Sequence, residues 1–136
     1  MAHVVTGKIT LPGENLSEYL QALEETEQAT APFRKQLEQL NREFERSLQT
    51  TFSKKTARKH ALVIEVFIDF VCWQTDVRSI DEITRGIANS YFRTWYRRKT
   101  GEGSESELKT AVKKFFQFLD KEKGITNEVV LKSFQR

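Results

Sequence analysis

Four cations are concentrated at the start of a helix that the sequence predicts over residues 53–74. Its first two turns hold Thr56 together with the cations Lys54, Lys55, Arg58 and Lys59. At roughly 100° per residue the cations span about 140° of one side, so they form an outward-facing patch. Because a helix start already carries partial positive charge, this arrangement favours a bound anion, and free backbone amides would add to a phosphate-binding site. The alternative is a solvated cluster that only keeps the protein soluble.

Two other groups of charged residues have simpler explanations. Arg93, Arg97, Arg98 and Lys99 end the next predicted helix, where the helix dipole favours cations. Trp95 and Tyr96 in that run could stack on bases, although their helical spacing with Phe92 favours core packing, at least for Trp95. Glu65 and Asp69 lie four residues apart on the outer side of the predicted helix 53–74. We therefore interpret them as solvated carboxylates rather than a catalytic pair.

Motifs of enzymes and metal sites are missing from the sequence. The two histidines, His3 and His60, have no metal-ligand spacing, and no phosphate loop, dinucleotide fingerprint or nucleophile elbow occurs. The lone Cys72 lies in the most apolar segment, which predicts an inert buried thiol. We expect a protein that is not an enzyme and uses neither metal nor cofactor.

Composition indicates one folded domain with a basic middle. The 136 residues are 38% hydrophobic and 30% charged, and no apolar run reaches the length of a membrane span. The start lacks a signal-peptide pattern, so we expect a cytoplasmic protein without membrane association. Residues 1–51 hold 5 Lys/Arg and 8 Asp/Glu, whereas residues 52–100 hold 10 and 5. This segregation favours an anionic partner for the middle of the chain.

The N-terminal region reads as an arm followed by a helical appendage. We expect an extended arm over 1–13 and, over 14–50, one or two amphipathic helices, the first capped by Asn15 and the second beginning at Pro32. An apolar stripe on the second consists of Phe33, Leu37, Leu40, Phe44 and Leu48. The stripe is either the core face of this helix or a seam for a protein partner or a second copy. The appendage could also mask the basic patch.

Residues 52–136 predict an all-α, orthogonal bundle of four core helices. Capping boxes at Ser79 and Glu82 and at Ser104 and Glu107 open the second and third of these helices. Gly124 ends the third, and Thr126 caps a short last helix.

The same segment resembles the SAM-like core-binding domain of tyrosine recombinases and phage integrases, over about 74 of the 136 residues from Phe52 to Ile125. The resemblance depends on motifs that occur in the family's order. They are Ser53 with Thr56, Phe67 with Phe70, the entry Ile80-Asp81-Glu82-Ile83-Thr84, Ser104 with Leu108, and the run Lys114-Phe115-Phe116-Gln117-Phe118-Leu119.

This resemblance implies a duplex DNA-binding module involved in recombination or integration, whose two Ser-capped helices face the major groove. Carried over by position, the DNA contacts are Lys54, Lys55, Thr56, Arg58 and Lys59 on the first helix, and Ser106, Lys109, Thr110 and Lys113 on the second. The acids Glu102, Glu105 and Glu107 would repel phosphate at the second helix start. The family's catalytic His-x-x-Arg pair is missing, which predicts a fragment of a recombinase or a stand-alone relative that cannot cut DNA.

Overall fold

The computed structural model describes residues 16–100 and 105–134, apart from the side chains of Leu16 and Thr26. The described chain folds into an all-helical bundle, as predicted, and contains no β-strand. Its helices are α1 (Leu16–Leu48), α2 (Lys54–Gln74), α3 (Phe92–Thr100), α4 (Glu105–Lys123) and α5 (Glu128–Ser133). A 3₁₀ turn (Ile80–Glu82) and a π-helical segment (Ile87–Tyr91) precede α3. The predicted arm over 1–13 and the predicted caps Asn15 and Ser104 lie outside the described residues.

Helix α1 is continuous, which is the single-helix alternative of the prediction, and Pro32 does not begin a second helix. Pro32 lies inside a helix of 33 residues, where it removes one backbone hydrogen bond. Pro32 and Gln28, whose carbonyl loses its partner, are both exposed, so water can satisfy that carbonyl. The surrounding sequence is rich in Ala, Leu, Glu and Gln, which are strong helix formers. The proline is therefore tolerated on the solvent side of one long helix.

The second half of α1 pairs with α2 in an antiparallel arrangement. Arg34 is joined to Asp69 and Arg58 to Glu45, and between these pairs Asn41 Nδ2 donates to the Ala61 carbonyl oxygen at 3.0 Å. Because the sequence numbers rise along one helix as they fall along the other, the N-terminal end of α1 lies at the C-terminal end of α2. The start of α2, about 30 Å away by helix length, lies beside the end of α1.

The apolar stripe of α1 belongs to the protein's own core. Phe33, Leu37, Leu40, Phe44 and Leu48 are all buried, and Phe44 packs edge-on against Phe115 at 5.3 Å between ring centroids. The core-face interpretation is confirmed, and the stripe is not exposed to a protein partner. Residues 33–48 fill the same core as α2 and α4, so this part of the predicted appendage over 14–50 packs against the predicted bundle over 52–136. The periodicity of the sequence predicted the apolar face of α1 but not which helices cover that face.

Aromatic rings make up the centre of the bundle. Phe67 of α2 contacts Phe92 of α3 at 5.0 Å and Phe116 of α4 at 6.2 Å between centroids, and all three rings are almost fully buried. Edge-to-face pairs of this kind stabilise a core by more than their buried area alone. This packing joins three helices at one point and fixes the positions of their ends.

The capping box and the helix start predicted before α3 are only partly as expected. The carboxylate of Glu82 accepts from the Ser79 amide at 3.1 Å, but this capping box closes the 3₁₀ turn rather than opening a long helix. The helical chain resumes at residue 85, and its π segment displaces the expected register, leaving Tyr91 54% exposed. The Tyr91 ring lies against Gly86, where a Cβ would come within 2.7 Å of Tyr91 Cε2.

A glycine ends α4, and an asparagine side chain caps α5. Gly124 has φ of +66°, and the Ile125 amide donates to the Leu119 carbonyl at 2.9 Å, which completes the predicted glycine stop. The cap of α5 is Asn127, not Thr126: its side chain accepts from the Val130 amide. Asn127 is buried and donates to two carbonyls preceding α3, whereas Thr126 donates to Asp120. No described helix has the length and hydropathy needed to span a membrane.

Candidate nucleic-acid interface

The basic patch, defined as Lys54, Lys55, Arg58 and Lys59, lies on the surface as predicted. All four side chains are exposed along the first two turns of α2. Ser53 caps the helix, with its hydroxyl oxygen accepting from the Thr56 amide at 3.1 Å. Thr56 is half-buried and its hydroxyl accepts from Ser53, so this predicted contact residue is engaged in the cap. The first-turn amides of Lys54 and Lys55 have no carbonyl partner within the helix and point toward the helix start.

Two of the four cations in the basic patch are paired with acids of other helices. Arg58 donates to Glu45 of α1 at 3.2 Å, and Lys59 donates to Glu107 of α4 at 2.7 Å. Arg58 and Lys59 remain more than half exposed, so these are surface ion pairs of small energy. Lys54 and Lys55 have no ion pair with any described residue. A phosphate would thus meet two unpaired lysines and two cations whose present partners it could replace.

The Lys59 to Glu107 contact brings the starts of α2 and α4 together. Lys114, two turns further along the same face of α4, lies 4.9 Å from the centre of the Phe52 ring, which precedes α2. His60 packs edge-on against Phe52 and is half-buried between these elements. Burial lowers the pKa of His60, and the positive charges of Lys114 and Lys59 lower it further. At the position of His60, the positive charges of these two lysines outweigh the negative charge of Glu107.

The second basic set, defined as Lys109, Thr110 and Lys113, surrounds an open cleft on α4. The cleft has a volume of about 440 Å³, and Phe134 forms the rest of its lining. Thr110 is exposed, while Lys109 and Lys113 are half-buried along their stems. Ser106, at the start of the same helix, is exposed. This arrangement gives a small anionic group two ammonium groups and a hydroxyl within one concave site.

The acids at the start of α4 are less repulsive than the sequence suggests. Glu105 accepts from Arg97 of α3 at 3.0 Å, and Glu107 accepts from Lys59. Glu102, the third expected acid, lies outside the described residues. Because Glu105 and Glu107 each pair with a cation from another helix, a phosphate approaching α4 meets a nearly balanced charge. Sequence reasoning missed these partners because they are 8 and 48 residues away along the chain.

The aromatic residues of α3 are part of the core. Trp95 packs against Phe70 at 5.4 Å and Tyr96 against Phe92 at 6.0 Å between ring centroids. Both are partly buried against the main cluster, which confirms core packing rather than exposure for base stacking. Trp95 Nε1 is buried and has no hydrogen-bond partner in the described part of the chain.

The carboxylates Glu65 and Asp69 are about half exposed, as predicted, and each also lies near an arginine. They line a cleft of about 300 Å³ between α1 and α2, where Asp69 accepts from Arg34 and Glu65 lies 3.8 Å from Arg58. Asp69 thus helps to join α2 to α1, whereas Glu65 lies near an arginine of its own helix. Within residues 16–100 and 105–134, no group of three or more His, Cys, Asp and Glu side chains could hold a metal ion.

Comparison with known proteins finds no matching family model, no matching curated protein and no matching solved structure. The site's chemistry is thus defined by its geometry: a capped helix start with four exposed cations, joined by one ion pair to a second helix that carries its own basic cleft.

Proposed function

We propose that this protein binds duplex DNA without cutting it, and that the start of α2 contacts the phosphate backbone. The observation that carries the proposal is that Lys54 and Lys55, at a capped helix start, form no ion pair with a described residue and lie beside the exposed Arg58 and Lys59. Helix-start amides and ammonium groups together suit the phosphate oxygens of a nucleic-acid backbone. The resemblance to recombinase core-binding domains supports the same helix as the contact element.

The proposal assigns α4 a secondary role. The second basic set lies on the helix that the resemblance pairs with α2, and the Lys59 to Glu107 contact keeps the two helix starts close. Two lysines around a cleft suit one or two phosphates, while the neighbouring acids limit the total attraction. Contacts from α4 would therefore add less to the affinity than those from α2.

A salt series tests the proposal directly. The affinity for a duplex should fall steeply as salt rises. A plot of the logarithm of the binding constant against the logarithm of the salt concentration should fall with a slope of about 0.9 per neutralised phosphate. A quadruple variant should bind the duplex weakly, and the magnitude of its salt-dependence slope should be smaller by roughly three to four. In this variant the residues changed to Gln are Lys54, Lys55, Arg58 and Lys59. A matched control removes four exposed cations elsewhere, at Lys35, Arg42, Arg85 and Lys121.

The comparison between the two quadruple variants decides the result, because both lose the same net charge. Equal loss of affinity would mean that only overall charge matters, and unchanged affinity in the α2 variant would disprove the site. Changing Lys109 and Lys113 to Gln should reduce the slope by no more than about two, which measures the part played by α4. Circular dichroism of each variant checks that the helices are retained.

A further inference from the structure

The first half of α1 is not buried against the rest of the described chain. Among residues 17–29, setting aside the undescribed side chain of Thr26, none is buried, and burial begins at Thr30. We call residues 17–21, 23–25 and 27–29 the free half of α1. Its apolar residues Tyr19, Leu20 and Leu23 occupy one face, and Leu20 is 54% exposed. A helix of this length is marginal in water without packing, so this face is suited to being covered.

The face leads into a pocket at the junction of α1 and α2. The pocket has a volume of about 160 Å³ and is lined mainly by apolar surface from Ala31, Cys72 and Trp73. Trp73 is 45% exposed at its rim. Thr30, only 5% exposed, also lines the pocket, and its hydroxyl has no hydrogen-bond partner among the described residues. The pocket can therefore take an apolar side chain that also carries a polar group.

The charge around this face indicates a basic partner. The free half of α1 carries Glu18, Glu24, Glu25 and Glu27, all exposed and none in an ion pair with a described residue. No Lys or Arg occurs between Leu16 and Phe33. Two such helices would repel each other, so a direct pairing of α1 with another α1 is disfavoured. The complementary surface must combine cations with an exposed apolar side chain.

The helical chain over residues 85–100 provides that combination. Tyr91 is 54% exposed, and its hydroxyl gives an aromatic ring a polar end. Arg98 lies two turns along the same face and Lys99 follows it, and neither is in an ion pair with a described residue. The basic patch of α2 has no comparable aromatic residue. Since both halves of the complementary pair occur in one chain, a second copy supplies what the first copy lacks.

We propose that two copies of this chain associate reciprocally. The free half of α1 of each copy docks on the 85–100 surface of the other, and the hydroxyl end of Tyr91, whose ring lies with one edge against Gly86, enters the pocket beside Trp73 and Thr30. This interface is separate from the proposed DNA contacts at the start of α2, so either proposal can fail alone. The acidic residues at its rim make the association sensitive to salt.

A charge-swap experiment on the full chain tests the interface without DNA. One variant changes Glu24 and Glu27 to Lys, and the other changes Arg98 and Lys99 to Glu. Each variant alone should be monomeric by sedimentation or light scattering, because both of its interfaces then join like charges. An equal mixture should associate again, since each interface of the mixed pair joins opposite charges. The association constant of the wild type with itself should fall by at least about tenfold between low and high salt.

Apolar variants separate docking from simple charge attraction. Leu20→Ser and Tyr91→Ser should each reduce association, whereas Val129→Ser, which removes a 59% exposed side chain from α5, should not. Thermal unfolding followed by circular dichroism shows whether each variant is folded. A wild type that stays monomeric at low salt and high concentration overturns the proposal. So does a mixture of the two charge variants that stays monomeric while both are folded.

Discussion

The side chains of the basic patch differ in what DNA must displace to reach them. Arg58 and Lys59 are held by Glu45 and Glu107, so each proposed phosphate contact competes with a carboxylate. Changing Glu45 or Glu107 to Gln should therefore tighten duplex binding by about twofold to fivefold, the range expected for releasing one exposed ion pair. Fluorescence anisotropy at several salt concentrations measures the change.

Glu38→Gln provides the control, because Glu38 pairs with Arg34 away from the basic patch. Its affinity for DNA should equal that of the wild type to within experimental error. If neither Glu45→Gln nor Glu107→Gln binds more tightly than Glu38→Gln, Arg58 and Lys59 do not take part in binding.

His60 makes stability depend on pH in a narrow range. Burial, with help from Lys114 and Lys59, lowers its pKa below the ordinary value of 6.5. Above pH 6.5 the imidazole is neutral in both states, and the stabilising effect of keeping it neutral is fully present. As the pH falls below 6.5, the unfolded chain takes up a proton before the folded chain does, so the free energy of unfolding decreases. Urea unfolding at about pH 7.5 and about pH 5.8 should show this decrease in the wild type and a smaller one in His60→Gln.

At the scale of the element, Pro32 weakens the middle of α1. It removes one backbone hydrogen bond between the free half and the packed half of the helix. Pro32→Ala should restore that bond and favour the helical state locally by up to about 3 kcal/mol. We expect slower amide hydrogen exchange over residues 17–31 and little change in α2. Equal exchange rates in the two proteins would show that the proline does not limit the stability of the free half.

The sequence predicted individual elements better than their partners. Ser53 and Gly124 act through contacts within a few residues, and the structure has both where the sequence placed them. Pro32 was misjudged because its local signal fits a helix start, and only the packing of residues on both sides reveals one continuous helix. The exposure of the basic patch was predictable from angular spacing. The carboxylates that hold Arg58 and Lys59 were not, because they lie on helices distant in sequence.

At the scale of the whole molecule, α1 and the rest of the bundle should unfold together. Phe44 is almost fully buried between Phe115 and Phe118, so Phe44→Ala should lower the free energy of unfolding by about 3 to 5 kcal/mol. In a Trp73→Phe background, the fluorescence of Trp95 reports on α3 alone. We expect its unfolding transition to shift to lower denaturant together with the circular dichroism signal.

Leu20→Ser, in the free half of α1, is the matched control and should leave that transition where it is under conditions in which the chain is monomeric. An unshifted Trp95 transition in Phe44→Ala would mean that α1 is an independent unit after all. The shared core of α1, α2 and α4 predicts the opposite outcome.

The buried Cys72 allows a direct kinetic measurement of how often the seam, the contact between α1 and α2, opens. Its side chain is 2% exposed, and burial raises the pKa of its thiol, so a thiol reagent reacts only when the seam opens. Because this is the sole cysteine in the chain, the labelling rate reports one opening event without any engineered probe. The rate constant, compared with that of an unfolded chain, gives the equilibrium for local opening.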